Sequence, residues 1–157
     1  MVKLPAAISD PHFDKQFKRG IIVKTPVRFK DGREKYKFLI ILSHDVSKDP
    51  VLFVLTTSQL EFYDKNPHFN KDIIRIKAGS ISFFPKETVI NCREVHRIAG
   101  DKLKVSFRDN ILQIEGALPQ GMLNDVDKII ERSFFISLAD KELILGKKSI
   151  DAEMKND

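Results

Sequence analysis

At 157 residues, with 42% hydrophobic and 31% charged side chains, the chain is long enough for one domain with a real core and too short to divide comfortably into two. No apolar run approaches the roughly 18 to 20 residues of a membrane span, and the lone Cys92, with no Cys or His at ligand spacing, excludes an intrachain disulfide and gives no metal pattern. The net charge of +5 is unevenly spread: residues 1–37 hold ten Lys or Arg against four acids, and the rest of the chain is close to balanced, which favours a polyanion or an acidic protein as partner.

The opening stretch MVKLPAAISDPHFDKQFKRG interrupts its apolar residues with Asp10, His12, Asp14 and Lys15, unlike a secretory signal. A cytoplasmic protein without cofactor is expected, with residues 1–17 as an arm or short helix, 18–145 as the domain and 146–157 as a polar tail. GIIVKT at 20–25 reads as a β-branched strand that Pro26 ends. Residues 26–36, PVRFKDGREKY, read as a basic loop turning at Asp31-Gly32.

Two solid apolar blocks follow, KFLIILS from residue 37 and VLFVLTT from residue 51. They are too short and too rich in Ile, Val, Leu and Phe for exposed helices, and read as central strands buried on both faces. Each ends in small hydroxyl residues. SQLEFYDKNPHFN at 58–70 reads as a loop or one helical turn, and DIIRIK at 72–77 as a strand. TVINCREVHRI at 88–98 reads as a strand followed by a second short one, with Cys92 as a buried thiol. DKLKVSFRDNILQIEG reads as a hairpin turning at Arg108-Asp109-Asn110. From Leu118 to about Leu138, the residues Leu118, Met122, Val126, Ile129, Ile130 and Phe134 recur at helical steps. His44, His68 and His96 lie far apart, and neighbouring strand residues of Ser43-His44-Asp45 point to opposite faces, so no triad is expected there.

This order resembles the MazF/PemK family of toxin endoribonucleases. The resemblance is carried by KRGIIV at 18–23, KFLIILSHD at 37–45, and ETVINCREVHRI followed by GALPQGMLNDVDKIIERSFFISL, and it covers about residues 18–138. It implies a mainly β fold with a C-terminal helix, a small SH3-like barrel of the MazF/PemK/CcdB type. It also implies a homodimer gripping single-stranded RNA, an acidic antitoxin as protein partner, and metal-independent cleavage by ribose 2′-OH attack. By that resemblance Lys37 stands where the family has its strand-entry arginine, and Thr56 supplies the hydroxyl, with Thr57 next to it should the register differ by one. Arg28, Lys30, Arg33 and Lys35 become the RNA-backbone contacts. The chain departs from the family in having Lys37-Phe38 in place of Arg-Pro, and in a longer stretch at about 100–116. A lysine gives a point charge and not a planar fork, so a non-catalytic relative that binds nucleic acid or an acidic protein is the alternative. A gyrase-binding relative resembling CcdB fits less well, given the charged tail and the absence of Trp.

Overall fold

The computed structural model describes the backbone of residues 6–146 and the side chains of residues 11–146; residues 147–157 of the tail expected at 146–157 and the first five residues of the arm lie outside it. The two apolar blocks become β2 (Glu34–Ile41) and β3 (Val51–Thr57). They lie in the middle of a six-stranded antiparallel sheet with β1 (Ile21–Arg28), β4 (Ile73–Ile76), β5 (Thr88–Ile98) and β6 (Gln113–Ala117), in the order β4-β5-β3-β2-β1-β6. The sheet curls into a half-barrel. Both faces of its centre are covered, which is why the two blocks are continuously apolar where burial is complete.

Strand alternation divides the core in two. Ile22, Ile40, Val54 and Ile90 point to one face, under α4 (Gln120–Arg132) and α5 (Leu138–Leu145) with Val126, Ile130 and Ile144. Val23, Leu39, Ile41 and Phe53 point to the other. There they meet Phe13 of α1 (Ala6–Gln16), Phe17 just beyond it, and Leu103 of a helix at Gly100–Arg108, here α3. A smaller cluster of Tyr63, Ile73 and Val89 lies under the short α2 (Glu61–Lys65) and a 3-10 turn, Pro67–Asp72.

Several expectations are corrected. The helices are five among the described residues and cover both faces, so the domain is not a β fold closed by a C-terminal helix alone. The basic segment 26–36 is mostly strand: β1 runs through Pro26 to Arg28, pairs with Glu34, and only residues 29–33 form the turn, with Gly32 at φ 83°. Pro26 is tolerated because pairing with β6 stops at Lys24, leaving β1 an open side where a missing N–H costs nothing. Residues 88–98 are one strand, not two. A bulge bends it, since the two-residue step from Phe53 to Leu55 of β3 faces the five-residue step from His96 to Asn91.

The expected hairpin at 101–116 is α3 followed by β6. KLKVSF alternates like a strand, but Leu103 and Phe107, four apart, both join the core beneath α1, and that packing selects helix. The long C-terminal helix is interrupted. α4 ends at Arg132, Ser133 follows, and α5 restarts with the Ser137 hydroxyl accepting from the Asp140 N–H at 3.1 Å. Phe134, expected on the buried stripe, is 99% exposed, whereas Leu123, outside that stripe, is buried.

The β4–β5 connection positions the site. It carries Phe83 across the curl onto Phe38, with ring centroids 5.8 Å apart, and onto Gly116 of β6. A Cβ at Gly116 would stand 2.9 Å from the Phe83 ring, so this close approach requires glycine. Among the described residues no helix is long and apolar enough to cross a membrane.

Candidate nucleic-acid interface

β2 is not uniform along its length. Its first residues, Glu34 to Tyr36, are exposed, Lys37 and Phe38 are half-buried, and Leu39 to Ile41 are fully buried. The strand therefore lifts its N-terminal end clear of the core, and β3 brings its C-terminal end to the same rim.

The register fixes which side chains meet there. β2 and β3 pair as Leu39 with Leu55 and Ile40 with Val54, so continuing the same antiparallel step sets Phe38 beside Thr56 and Lys37 beside Thr57. The Thr56 hydroxyl donates to the Phe38 carbonyl at 3.2 Å, in keeping with that register. Lys37 also pairs with Thr25 of β1. Thr25, Lys37 and Thr57 thus form a row across three strands on one face, while Thr56 points to the opposite face with Phe38. Of the two hydroxyls at the end of β3, Thr57 is the one that shares a face with Lys37. Thr56 is 4% exposed, with its proton committed to backbone. Thr57 is half-buried; its oxygen accepts from the Gln59 N–H at 3.1 Å, which leaves its own proton to donate.

Lys37 lies 5.9 Å from the Phe29 ring centroid. Partial burial, and then the neighbouring Lys35 ammonium, hold its pKa below that of an ordinary lysine. Both effects favour giving up a proton. An anion arriving here would relieve both.

The four basic residues expected to touch RNA do not share one surface. Arg28 ends β1 on the same face as Phe38, where Glu34 stands 3.9 Å away. Lys35 is on the face of Lys37. Lys30 and Arg33 belong to the exposed turn, where Arg33 meets Asp31 at 3.2 Å and the Asp31 carboxylate accepts the Arg33 N–H at 2.9 Å. Two of the four cations therefore carry local counter-charges that shape the hairpin, and pairs this exposed contribute little to stability.

A depression of about 230 Å³ opens at the rim and includes both Lys37 and Thr57. Thr56, the hydroxyl expected from the sequence, lines it as well, and the other walls are residues to which the sequence reading gave no role at the site. Tyr36, Phe38, Phe83 and Phe84 give it aromatic sides, and Lys86 and Thr88 close it at the start of β5. Lys24 of β1 stands over this wall, 5.9 Å from the Tyr36 ring centroid and 5.7 Å from that of Phe38. The sequence held one signal for this set, the alternation Glu34-Tyr36-Phe38 along β2, which was hidden by reading 26–36 as loop. Phe83, Lys86 and Thr88 arrive from far along the chain and gave none.

Chemically, the rim combines ammonium groups, a free hydroxyl proton and aromatic faces. No carboxylate or imidazole is among the described residues lining the depression. His44 is at the other end of β2, beside Gly146, and His96 stacks on Phe53. Among the described residues no His, Cys, Asp and Glu group has metal-holding geometry. Comparison of the chain with protein-family models finds no match, and comparison with curated proteins finds none.

Proposed function

We propose that the protein acts on single-stranded RNA at this rim as a metal-independent endoribonuclease of the MazF/PemK kind, on an SH3-like variant of the curled sheet, working as a cytoplasmic homodimer. The observation that carries the reading is Lys37 standing across from Thr57, a cation and a hydroxyl donor side by side on an exposed strand end. In such a reaction the ribose 2′-hydroxyl gives its proton to solvent water as its oxygen attacks phosphorus, the P–O5′ bond breaks with a proton supplied to the 5′-oxygen, and the products are a 2′,3′-cyclic phosphate and a 5′-hydroxyl. Lys37 would neutralise the charge that builds on the phosphoryl oxygens and Thr57 would donate to one of them. A lysine whose pKa is lowered is also suited to hand a proton to the departing 5′-oxygen. Thr56, through the Phe38 carbonyl, is a positioning residue. Arg28, Lys30, Arg33 and Lys35 would hold the flanking backbone, and an acidic antitoxin-like protein would compete for the same charges.

A second reading is binding of single-stranded RNA without cleavage. It is favoured by the Lys37-Phe38 pair and by the lack of an imidazole or carboxylate lining the depression to take the 2′-hydroxyl proton.

Incubating the purified protein with single-stranded RNA in excess EDTA separates the two. Appearance of cyclic-phosphate ends supports the enzyme; retention without cleavage supports the binding module. Binding that ignores salt, or no binding, removes both, since each phosphate contact by a cation should steepen the salt dependence.

A further inference from the structure

We infer that the aromatic wall of the rim, built from Tyr36, Phe38 and Phe83, is a nucleobase-stacking subsite that seats one unpaired base beside a phosphate held at Lys24, on the face of β2 opposite to Lys37 and Thr57. The inference deepens the RNA reading above and rests on it. Tyr36 is 63% exposed although it sits in a strand that is core from Leu39 onward, and its ring has an ammonium, that of Lys24, on hand for a phosphate. An exposed ring next to cations is the pairing that single-strand binders use, because every base offers a π-face and every nucleotide a charge. Phe83 and Phe84 stand edge to face, with centroids 4.9 Å apart, and Phe38 meets Phe84 in the same way at 5.0 Å. Phe38, Phe83 and Phe84 are thus packed on one another, with the exposed Tyr36 ring beside them.

The size of the depression is in keeping with that ligand. About 230 Å³ is below the roughly 300 to 1,000 Å³ of ordinary small-molecule pockets, which suits one base better than a larger ligand. A base that is still paired in a duplex has no free face to present, so only unpaired nucleotides fit. The exposed Ser58 hydroxyl at the margin can donate or accept and so meet any base edge, whereas the Thr88 hydroxyl is buried and donates to the Lys86 carbonyl at 3.1 Å; one adaptable group predicts weak base preference.

Tyr36 also supplies the readout. The chain has two tyrosines and no tryptophan, and Tyr63 is 9% exposed in the separate cluster beneath α2. A base stacking on Tyr36 should quench tyrosine emission. The experiment titrates wild type, Tyr36→Ala and Tyr36→Phe with a short oligoadenylate, with the same oligomer carrying abasic nucleotides, and with inorganic polyphosphate. The expected result is a roughly tenfold loss of oligoadenylate affinity in Tyr36→Ala and retained affinity in Tyr36→Phe. Quenching should appear in wild type only, and abasic oligomer and polyphosphate should bind all three proteins alike. Oligoadenylate binding that is equal in wild type and Tyr36→Ala overturns the base subsite while leaving the RNA reading in place. No oligoadenylate binding by wild type at low salt overturns the RNA reading and the subsite with it.

Discussion

The two ends of the β2–β3 pair are made from the same strands and have opposite fates. At one end Ile41, Leu42, Val51 and Leu52 are fully buried. There the Ser43 hydroxyl, also buried, accepts the Leu52 N–H at 2.8 Å, and Arg19 ties the end to α4 through Asp127 and the Leu42 carbonyl. At the other end Tyr36 is open to solvent and Lys37 and Thr57 are half-covered. Hydroxyls close both blocks in the sequence, but Ser43 satisfies backbone inside the core and Thr57 has a proton to spare. A hydroxyl at a strand end acquires chemistry only when the strand leaves the core before it, and that is decided by which helices reach that far. α1, α3, α4 and α5 cover the first end; the second is met, among the described residues, by the β4–β5 connection with Phe83 and Phe84 and not by those helices.

The comparison is broken most forcefully at the covered end. Ile130 of α4 is fully buried, so Ile130→Asp would bury a carboxylate without a partner and should cost several kcal/mol. Thermal unfolding monitored by circular dichroism should show a collapse of Tm, or no folded protein. An unchanged melt would mean that the packing of α4 is wrong.

At the open end the same kind of substitution should move chemistry and not folding. Lys37→Ala should abolish RNA cleavage, Lys37→Arg should raise it by restoring a bidentate fork, and Thr57→Ala should lower the rate by about 10²- to 10³-fold. All three should melt like wild type. Thr56→Ala sharpens the contrast between neighbours: it removes a nearly buried hydrogen bond and should cost about 1 kcal/mol of stability with a smaller loss of rate than Thr57→Ala. The reverse order, with Thr56 dominating the rate, would mean that the β2–β3 register does not continue to the rim.

Titration gives a second test of the covered side. Burial, and then the Asp72 carboxylate, push the Cys92 thiol up from 9.0 to about 12. The thiol then stays neutral in the folded protein while the unfolded chain ionises. Its contribution to stability is therefore complete below pH 9 and is lost as pH rises from 9 towards 12, at a slope approaching about 1.4 kcal/mol per pH unit. Urea unfolding at pH 8 and pH 10 should show this component in wild type and lack it in Cys92→Ala, and alkylation of native protein at pH 8 should wait on unfolding.

What could be read from the sequence follows the same division. The two central strands, the short helical piece after residue 58, the burial of Cys92 and four of the six residues of the α4 stripe were legible, because continuous burial and helical spacing are local patterns. The strand character of Pro26 to Arg28 and of Glu34 to Tyr36 was not, since it depends on β6 pairing with β1 only as far as Lys24 and so freeing one side of β1. α3 was misread because KLKVSF satisfies two periods equally, and only α1 overhead decides between them. At the site, Lys37 and a hydroxyl from the end of β3 were legible as candidates. Which threonine faces the lysine was not, because that is set by pairing across β2 and β3, and Phe83 and Lys86 reach the rim only through the curl of the sheet.

The smallest expected effect is the most direct check on where the covered region stops. Helical spacing alone would place Phe134 on the buried stripe one turn beyond Ile130, yet α4 has ended two residues earlier and the Phe134 ring is 99% exposed. The Ser133 hydroxyl accepts the Phe135 N–H at 3.1 Å, which turns the chain out of the helix here and sends the adjacent Phe135 ring onto Arg93, whose guanidinium carbon is 4.2 Å from its centroid. Phe134→Ser should therefore change stability by no more than about 0.5 kcal/mol, whereas a helix continuing to Leu138 would make it a core deletion costing about 3 to 5 kcal/mol. A denaturant midpoint within error of wild type supports the interrupted helix; a drop on the scale of a core deletion would restore the continuous one and with it a covered surface reaching past Arg132.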